Sequence, residues 1–150
     1  MKWLVWTLFA SASVASAASP VQSVRPYAVA GDAIEKSLTG QGGNAIRGAE
    51  LIQDRHKSLC VLCHTGPFPD PHLQGTLAPD LTGVGERLSA GQLRLRIVDM
   101  KRLNPDSIMP TYYGIVTSKD ARVASAWRNK PILTAEEIED LVAYLQTLRR

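Results

Sequence analysis

The chain has 150 residues, with 17 lysines and arginines against 14 aspartates and glutamates, and its formal net charge at pH 7 is +3. That length suits one compact domain, and the small positive excess, without a basic run interleaved with aromatics, gives no indication of nucleic-acid binding. The two cysteines, Cys60 and Cys63, are too few for a disulfide framework or a four-cysteine zinc site.

Residues 1–17 have the pattern of a cleaved export signal. Lys2 supplies a positive charge, Trp3 to Ala10 form a short apolar core, and Ala15-Ser16-Ala17 is a small-residue cleavage site. The apolar run is short for a membrane span. We therefore expect a periplasmic protein whose mature chain begins near Ala18, without stable membrane insertion; an uncleaved anchor is the alternative.

Residues 18–43 form an extension ahead of the main domain, which we place at residues 44–150. Within the extension, the run from Gly31 to Leu38 predicts one short helix with Asp32 near its N-cap, ended by three closely spaced glycines. Such a segment could pack on its own core or contact a partner. The sequence does not decide between these two roles.

A first helix is predicted from Asn44, its N-cap, to about Lys57. Gly48, Leu51 and Ile52 fall on one side of this helix at helical spacing. A glycine inside a helix costs about 1 kcal/mol relative to alanine. Its presence here suggests that another helix approaches closely at Gly48.

The most informative pattern is Cys60-Val61-Leu62-Cys63-His64, the signature of covalent c-type haem attachment. Two thiols at this spacing can form thioethers with the two vinyl groups of one porphyrin, and the following histidine can be the proximal iron ligand. A redox dithiol would call for an αβ context, and a zinc site would need a second pair of ligands. We therefore predict one covalently attached haem c, held by Cys60 and Cys63, with His64 on the iron.

A middle helix is predicted from Ser89 to about Leu103, with a capping box formed by Ser89 and Gln92. Two loops rich in proline and glycine, at residues 65–85 and 104–114, lie on either side of it. Its basic side chains are interpreted first as a solvated helix face and second as a docking patch for an acidic partner. These side chains are Arg94, Arg96, Lys101 and Arg102.

The last helix begins with a capping box formed by Thr134 and Glu137. Its apolar stripe consists of Ile138, Leu141, Val142, Leu145 and Leu148. Packing of this helix across Gly48 would cross the N- and C-terminal helices of the domain. Because no convincing strand pattern is present, we predict an all-α, haem-binding domain with long haem-wrapping loops.

A six-coordinate iron needs a second axial ligand. Met109 lies on a loop that Pro105 and Pro110 hold extended, and a thioether ligand raises the reduction potential of haem iron. The other candidates are Met100, His72 and His56. Met100 has the spacing of a core stripe, and His72 is poorly placed to reach the haem face opposite His64. His56, four residues before the attachment site, is interpreted as capping or ending its helix. We predict Met109, which leaves the iron no open site; a haem enzyme with an open site, such as a peroxidase, is the alternative.

Further groups around the ligands can be proposed. A ligating histidine usually donates its other ring N–H to a carbonyl or carboxylate, and the carbonyl of Pro79 is the candidate acceptor. Tyr112, Tyr113 and a nearby arginine could hydrogen-bond the haem propionates. Equally, both tyrosines could simply pack the loop.

Several runs of sequence together resemble one family. They are GPFP at 66–69, LAPDLTGVG at 77–85, QLRLRIVD at 92–99, NP at 104–105, IMPTYY at 108–113 and KPILTAEEIED at 130–140. The family is SoxX, the small monohaem subunits of the SoxAX cytochromes of bacterial sulfur oxidation. The resemblance extends from about Tyr27 to Leu148 and is weaker from Gly114 to Asn129.

This resemblance implies a class I cytochrome c fold, with Cys60 and Cys63 as attachment sites and His64 and Met109 as axial ligands. It also implies a periplasmic heterodimer with a larger haem subunit, SoxA, which oxidatively couples thiosulfate to a cysteine of the carrier protein SoxYZ. In that family the substrate chemistry belongs to a cysteine-ligated haem on SoxA. The chain would then be the non-substrate-binding, electron-transfer subunit of an L-cysteine S-thiosulfotransferase complex, passing electrons to a soluble cytochrome. A free-standing periplasmic monohaem carrier is the alternative.

Overall fold

The computed structural model describes residues 23–115 and 128–149. Its α-helices are α1 (Ala45–Gln53), α2 (Val84–Arg87), α3 (Ala90–Asp99) and α4 (Ala135–Thr147). Single 3-10 turns lie at Cys60–Leu62, Pro71–Leu73 and Met100–Arg102. In these two ranges the only extended pairing is an isolated bridge between Ala30 and Ala33, so the all-α prediction is confirmed. The predicted export signal at residues 1–17 lies outside the described residues.

Side-chain caps fix the start of each longer helix. The Asn44 side chain accepts hydrogen bonds from the first turn of α1. Complete capping boxes, with both reciprocal hydrogen bonds, begin α3 at Ser89 and Gln92 and α4 at Thr134 and Glu137. All three predicted helix starts are therefore confirmed. Among the described helices, none has the length and apolar character needed to cross a lipid bilayer.

The first and middle helices end earlier than predicted, in each case near an aspartate. After α1, the carboxylate of Asp54 accepts hydrogen bonds from the N–H groups of His56 (2.8 Å) and Lys57 (3.0 Å). At the end of α3, the carboxylate of Asp99 accepts from the N–H of Lys101 at 3.2 Å. Such local side-chain bonds compete with the helical hydrogen bonds of the backbone.

Helices α1 and α4 cross at Gly48, as predicted. A Cβ atom at this position would lie 2.0 Å from the carbonyl oxygen of Asp140 and 2.7 Å from the Cβ of Tyr144. Only a residue without a side chain permits this approach. The predicted apolar stripe of α4 is buried along its length: Ile138, Leu141, Val142, Leu145 and Leu148.

The substitution Gly48→Ala is expected to destabilise the protein by about 1–3 kcal/mol, because its Cβ would force the two helix backbones apart. Helix propensity alone would predict a gain of about 1 kcal/mol, so the sign of the change separates the two effects. The matched control is Gly42→Ala, since a Cβ at Gly42 would meet no atom within 4 Å. Denaturant unfolding of the two variants measures the difference, and equal stabilities would contradict a tight crossing.

The run from Gly31 to Leu38 does not form the predicted helix. The N–H of Ile34 donates to the carbonyl of Gly91 at 3.0 Å, and the N–H of Leu38 donates to the carboxylate of Glu139 at 2.8 Å. Because these N–H groups bond to α3 and α4, they are not available for a helix of their own. Residues 23–43, called the N-terminal segment below, therefore pack on the protein's own core.

The prediction that Arg94 lies on a solvated helix face is wrong. Its side chain is only 6% exposed and pairs with Glu139, which is 3% exposed. The guanidinium donates through Nε and Nη2 to the two carboxylate oxygens at 2.7 and 2.9 Å, and through Nη1 to the carbonyl of Ile34 at 2.5 Å. One buried ion pair thus joins α3, α4 and the N-terminal segment. Lys101 and Arg102 of the same predicted face are exposed.

The acidic start of α4 (Glu136, Glu137, Glu139 and Asp140) pairs with bases from four separate parts of the chain. The pairs are Glu136 with Arg25, Glu137 with Lys57, Glu139 with Arg94, and Asp140 with Arg47. Asp140 also accepts a hydrogen bond from the N–H of Asn44, the cap of α1, at 2.6 Å. This one stretch of helix therefore connects the N-terminal segment, α1, the approach to the cysteine motif, and α3.

Candidate haem-binding site

The cysteine motif lies on a single tight turn. The 3-10 turn Cys60–Leu62 is continued by hydrogen bonds from the N–H groups of Cys63 (3.1 Å) and His64 (3.0 Å) to the carbonyl of Cys60. Both thiols are free, and desolvation raises the pKa of the Cys60 thiol. The motif therefore presents two unpaired thiols and an imidazole within one turn of chain.

The chain returns along this turn and is hydrogen-bonded to it. Three N–H groups donate to carbonyls of the motif region: Gly75 to Val61 (2.9 Å), Ala78 to Cys63 (2.9 Å) and Leu81 to Thr65 (2.8 Å). A Cβ at Gly75 would lie 1.9 Å from the carbonyl oxygen of Leu62, so only glycine allows the two stretches to lie this close. The returning stretch, residues 75–81, is thereby held in register with the motif.

This register places the carbonyl of Pro79 2.7 Å from Nδ1 of His64. With Nδ1–H donating to that carbonyl, Nε2 is the ring nitrogen left for a metal. The hydrogen bond predicted between His64 and Pro79 is present, and it orients the imidazole.

A second hydrogen bond joins the next residue on each side, Thr65 after His64 and Asp80 after Pro79. The hydroxyl of Thr65 donates to the carboxylate of Asp80 at 2.7 Å, and the N–H of Thr82 donates to it at 2.7 Å. Hydrogen bonds from Thr82 and Thr65 hold the pKa of the Asp80 carboxyl at about 2, below its ordinary value of 3.8. These hydrogen bonds favour the ionised carboxylate. Thr65, which follows His64, is thereby tied to Asp80, which follows Pro79.

The Asp80 tether is expected to weaken in acid. A carboxyl whose pKa is lowered by folding stabilises the folded state fully above its unfolded pKa, near 4, and loses that contribution as the pH falls towards 2. The stability difference between the unaltered protein and Asp80→Asn should therefore be constant above about pH 4 and shrink towards pH 2. Denaturant unfolding at a series of pH values measures this; a difference that grows in acid would contradict the assignment.

Met109 lies on the loop after the turn Met100–Arg102 and packs, half-buried, against the apolar core. Its N–H donates to the hydroxyl of Ser107 at 3.2 Å, and the hydroxyl of Thr111 donates to Asp99 at 3.0 Å. The loop is thus fastened on both sides of Met109. Of the other candidate ligands, Met100 begins the 3-10 turn, whereas His72 and His56 are exposed.

Tyr112 and Tyr113 are buried, and their hydroxyls bond to protein groups. The hydroxyl of Tyr112 donates to the carbonyl of Ser58, while that of Tyr113 accepts from the main-chain N–H of Arg25 at 2.9 Å. Burial raises the pKa of Tyr112 well above its usual range, so its hydroxyl stays protonated. Both hydroxyls bond within the protein, which agrees with the loop-packing interpretation, and hydrogen bonds from these tyrosines to haem propionates stay a prediction.

The donor groups suit one haem and do not suit zinc. Across residues 23–115 and 128–149, no group of three or more histidine, cysteine, aspartate or glutamate side chains is placed to hold a metal ion. Two free thiols on one turn and an imidazole with Nε2 available match covalent haem attachment. Leu77 and Ile108, on the Pro79 and Met109 loops, are 74% and 76% exposed, and such apolar side chains suit an apolar porphyrin.

The model of the cytochrome c family matches residues 45–149. The chain belongs to the cytochrome c family. It is also similar to a chain in the crystal structure of SoxXA from P. pantotrophus, with 32% sequence identity and a TM-score of 0.75, covering 83% of this chain and 95% of that one. The comparison with curated protein sequences gives no match.

The cytochrome is a SoxX-like monohaem protein with an electron-transfer role. It carries one covalently bound haem c, and Cys60 and Cys63 fit the attachment motif. The fold and cofactor predicted from the sequence are therefore confirmed.

Sequence reasoning did not find Ser58, which lies two residues before Cys60 and is fully buried. Its hydroxyl donates to the carbonyl of Leu51 at the end of α1, and its own carbonyl accepts the bond from Tyr112. Ser58 therefore connects α1, the cysteine motif and the Met109 loop. A serine next to a motif has no distinctive spacing, so no pattern in the sequence pointed to it.

Proposed function

We propose that this cytochrome is the electron-transfer subunit of a periplasmic complex that oxidatively couples thiosulfate to a cysteine of a carrier protein. The observation that carries this proposal is the likeness to the SoxXA chain, at 32% identity over 95% of that chain. The stable partner would be a larger, SoxA-like haem subunit. A SoxYZ-like carrier and a soluble cytochrome acceptor would bind transiently.

In this proposal Cys60 and Cys63 form the thioethers, and His64 and Met109 are the axial ligands. The hydrogen bond from Nδ1 of His64 to Pro79 supports the first ligand, and the fastened loop supports the second. The haem supplies one-electron exchange when bound. Because protein side chains would fill both axial positions, thiosulfate would find no binding site on this iron, and the substrate chemistry would belong to the partner subunit.

The N-terminal segment does not argue for a partner. In the structure, Ala33, Ile34 and Leu38 of this segment are buried in the protein's own core. The proposed partner therefore depends on the SoxXA likeness, and a free-standing carrier remains the competing function.

We propose export to the periplasm with cleavage after Ala17, from the signal pattern in residues 1–17. These residues lie outside the described part of the structure. N-terminal sequencing of the mature holoprotein should begin at Ala18. A mature protein that retains Lys2 would favour an uncleaved anchor.

The experiment that tests the complex is mild purification of the chain from its native periplasm, followed by haem staining. A second, larger haem polypeptide in equal amount is expected. The purified pair should then reduce a soluble cytochrome when thiosulfate and a cysteine-bearing carrier protein are both present, and omission of either should stop the reduction. A single small haem band that is stable through purification would contradict the heterodimer and favour the free carrier.

A further inference from the structure

The N-terminal segment contacts the loop that carries Met109. The main-chain N–H of Arg25 donates to the hydroxyl of Tyr113 at 2.9 Å, and the ring of Tyr27 packs on the ring of Tyr113 with centroids 6.3 Å apart. Tyr113 lies four residues after Met109 and is almost fully buried. This contact joins two parts of the chain that are 88 residues apart.

Arg25 is itself held in place. Its guanidinium donates to the carbonyl of Leu38 at 3.5 Å and to the carboxylate of Glu136 at 3.0 Å. Leu38 is fixed in turn by the bond from its N–H to Glu139. The N–H that meets Tyr113 therefore belongs to an anchored stretch of backbone.

Three successive residues that follow Met109 and Pro110 each form a hydrogen bond with another part of the protein. Thr111 bonds to Asp99 at the end of α3, Tyr112 bonds to Ser58 beside the cysteine motif, and Tyr113 bonds to Arg25. The first two bonds reach elements of the haem-binding core. The third is the bond that the N-terminal segment contributes.

We propose that the main-chain N–H of Arg25 and the hydroxyl of Tyr113 are positioning groups for Met109. They hold the loop so that the thioether stays on the iron when an external ligand competes for that position. The inference rests on Met109 being an axial ligand, as in the proposed function. Displacement of Met109 requires its loop to move, and movement that breaks the Arg25–Tyr113 bond leaves the hydroxyl of the buried Tyr113 without this partner.

Binding of imidazole to the ferric holoprotein tests this, since imidazole must displace Met109 to bind. Arg25→Pro removes the N–H donor, and Tyr113→Phe removes the acceptor while keeping the ring against Tyr27. Both variants are expected to bind imidazole more tightly, by up to about tenfold, the effect of losing one partly buried hydrogen bond. The control in the same segment is Gly42→Ala, whose added Cβ would meet no atom within 4 Å; it should bind imidazole as the unaltered protein does.

Gly48→Ala is the control for a general loss of stability, because it acts at the crossing of α1 and α4. It should leave the affinity for imidazole unchanged. Unaltered affinity in both Arg25→Pro and Tyr113→Phe would overturn the proposal while leaving Met109 as the ligand. Equal tightening in Gly42→Ala or Gly48→Ala would also overturn it. If the unaltered ferric protein lacks the weak red band of a sulfur–iron bond, the ligand assignment fails and this inference fails with it, before any variant is compared.

Discussion

Replacing Glu139 with alanine is expected to lower the free energy of unfolding by about 3–5 kcal/mol, the loss typical of removing one partner from a buried ion pair. The variant would leave the guanidinium of Arg94 buried without its carboxylate. It would also leave the N–H of Leu38 without its acceptor. Denaturant unfolding of the holoprotein, followed by circular dichroism, measures the change.

The matched control is Glu136→Ala, three residues earlier on the same helix. Its ion pair with Arg25 is exposed, with side chains 57% and 51% accessible, and exposed pairs contribute only about 0–1 kcal/mol. Replacing Arg94 and Glu139 together with leucine should recover much of the loss, because no buried charge is then left unpaired. If Glu139→Ala and Glu136→Ala cost the same, the buried pair does not have the role described.

Replacing Met109 with alanine should abolish the weak red absorption band of a ferric sulfur–iron bond. The reduction potential should fall, on the order of 0.1 V, because a thioether ligand favours the ferrous state and the identity of axial ligands sets haem potentials over about 0.8 V. Absorption spectroscopy and a redox titration of the purified holoprotein measure both changes.

Met100→Ala is the control for this experiment, because it removes a methionine nine residues earlier in the chain. It should retain both the band and the potential. An unchanged spectrum in Met109→Ala would transfer the ligand assignment to Met100 or to a histidine. Loss of the band in both variants would indicate a general disturbance of the loop, so the contrast between the two is the informative result.

The features predicted correctly from the sequence are those that depend on short spacings. The capping boxes at Ser89 and Thr134 need only two residues three positions apart, and the haem motif needs five consecutive residues. Gly48 identified the crossing of α1 and α4 because an interior glycine without a local reason suggests a close approach. Each of these signals is complete within one or two turns of chain.

The contacts that were missed join residues far apart in sequence. In the sequence, nothing distinguishes Arg94 from other basic residues on an amphipathic helix. Its partner Glu139 lies 45 positions away, and only the fold brings the two together. The run from Gly31 to Leu38 has acceptable helix-forming residues, but hydrogen bonds to α3 and α4 override that local preference. Such pairings depend on the packed arrangement of the elements, and one sequence does not reveal them.

The acidic start of α4 also has a bearing on the order in which this protein can be assembled. A chain is synthesised from its N-terminus, so the bases of the four ion pairs are all made before the carboxylates of α4 that hold them. Until α4 arrives, α1 lacks the surface that covers Gly48, and Arg94 lacks the carboxylate with which it is buried. Cys60 and Cys63 are therefore made in a chain that cannot yet close around them.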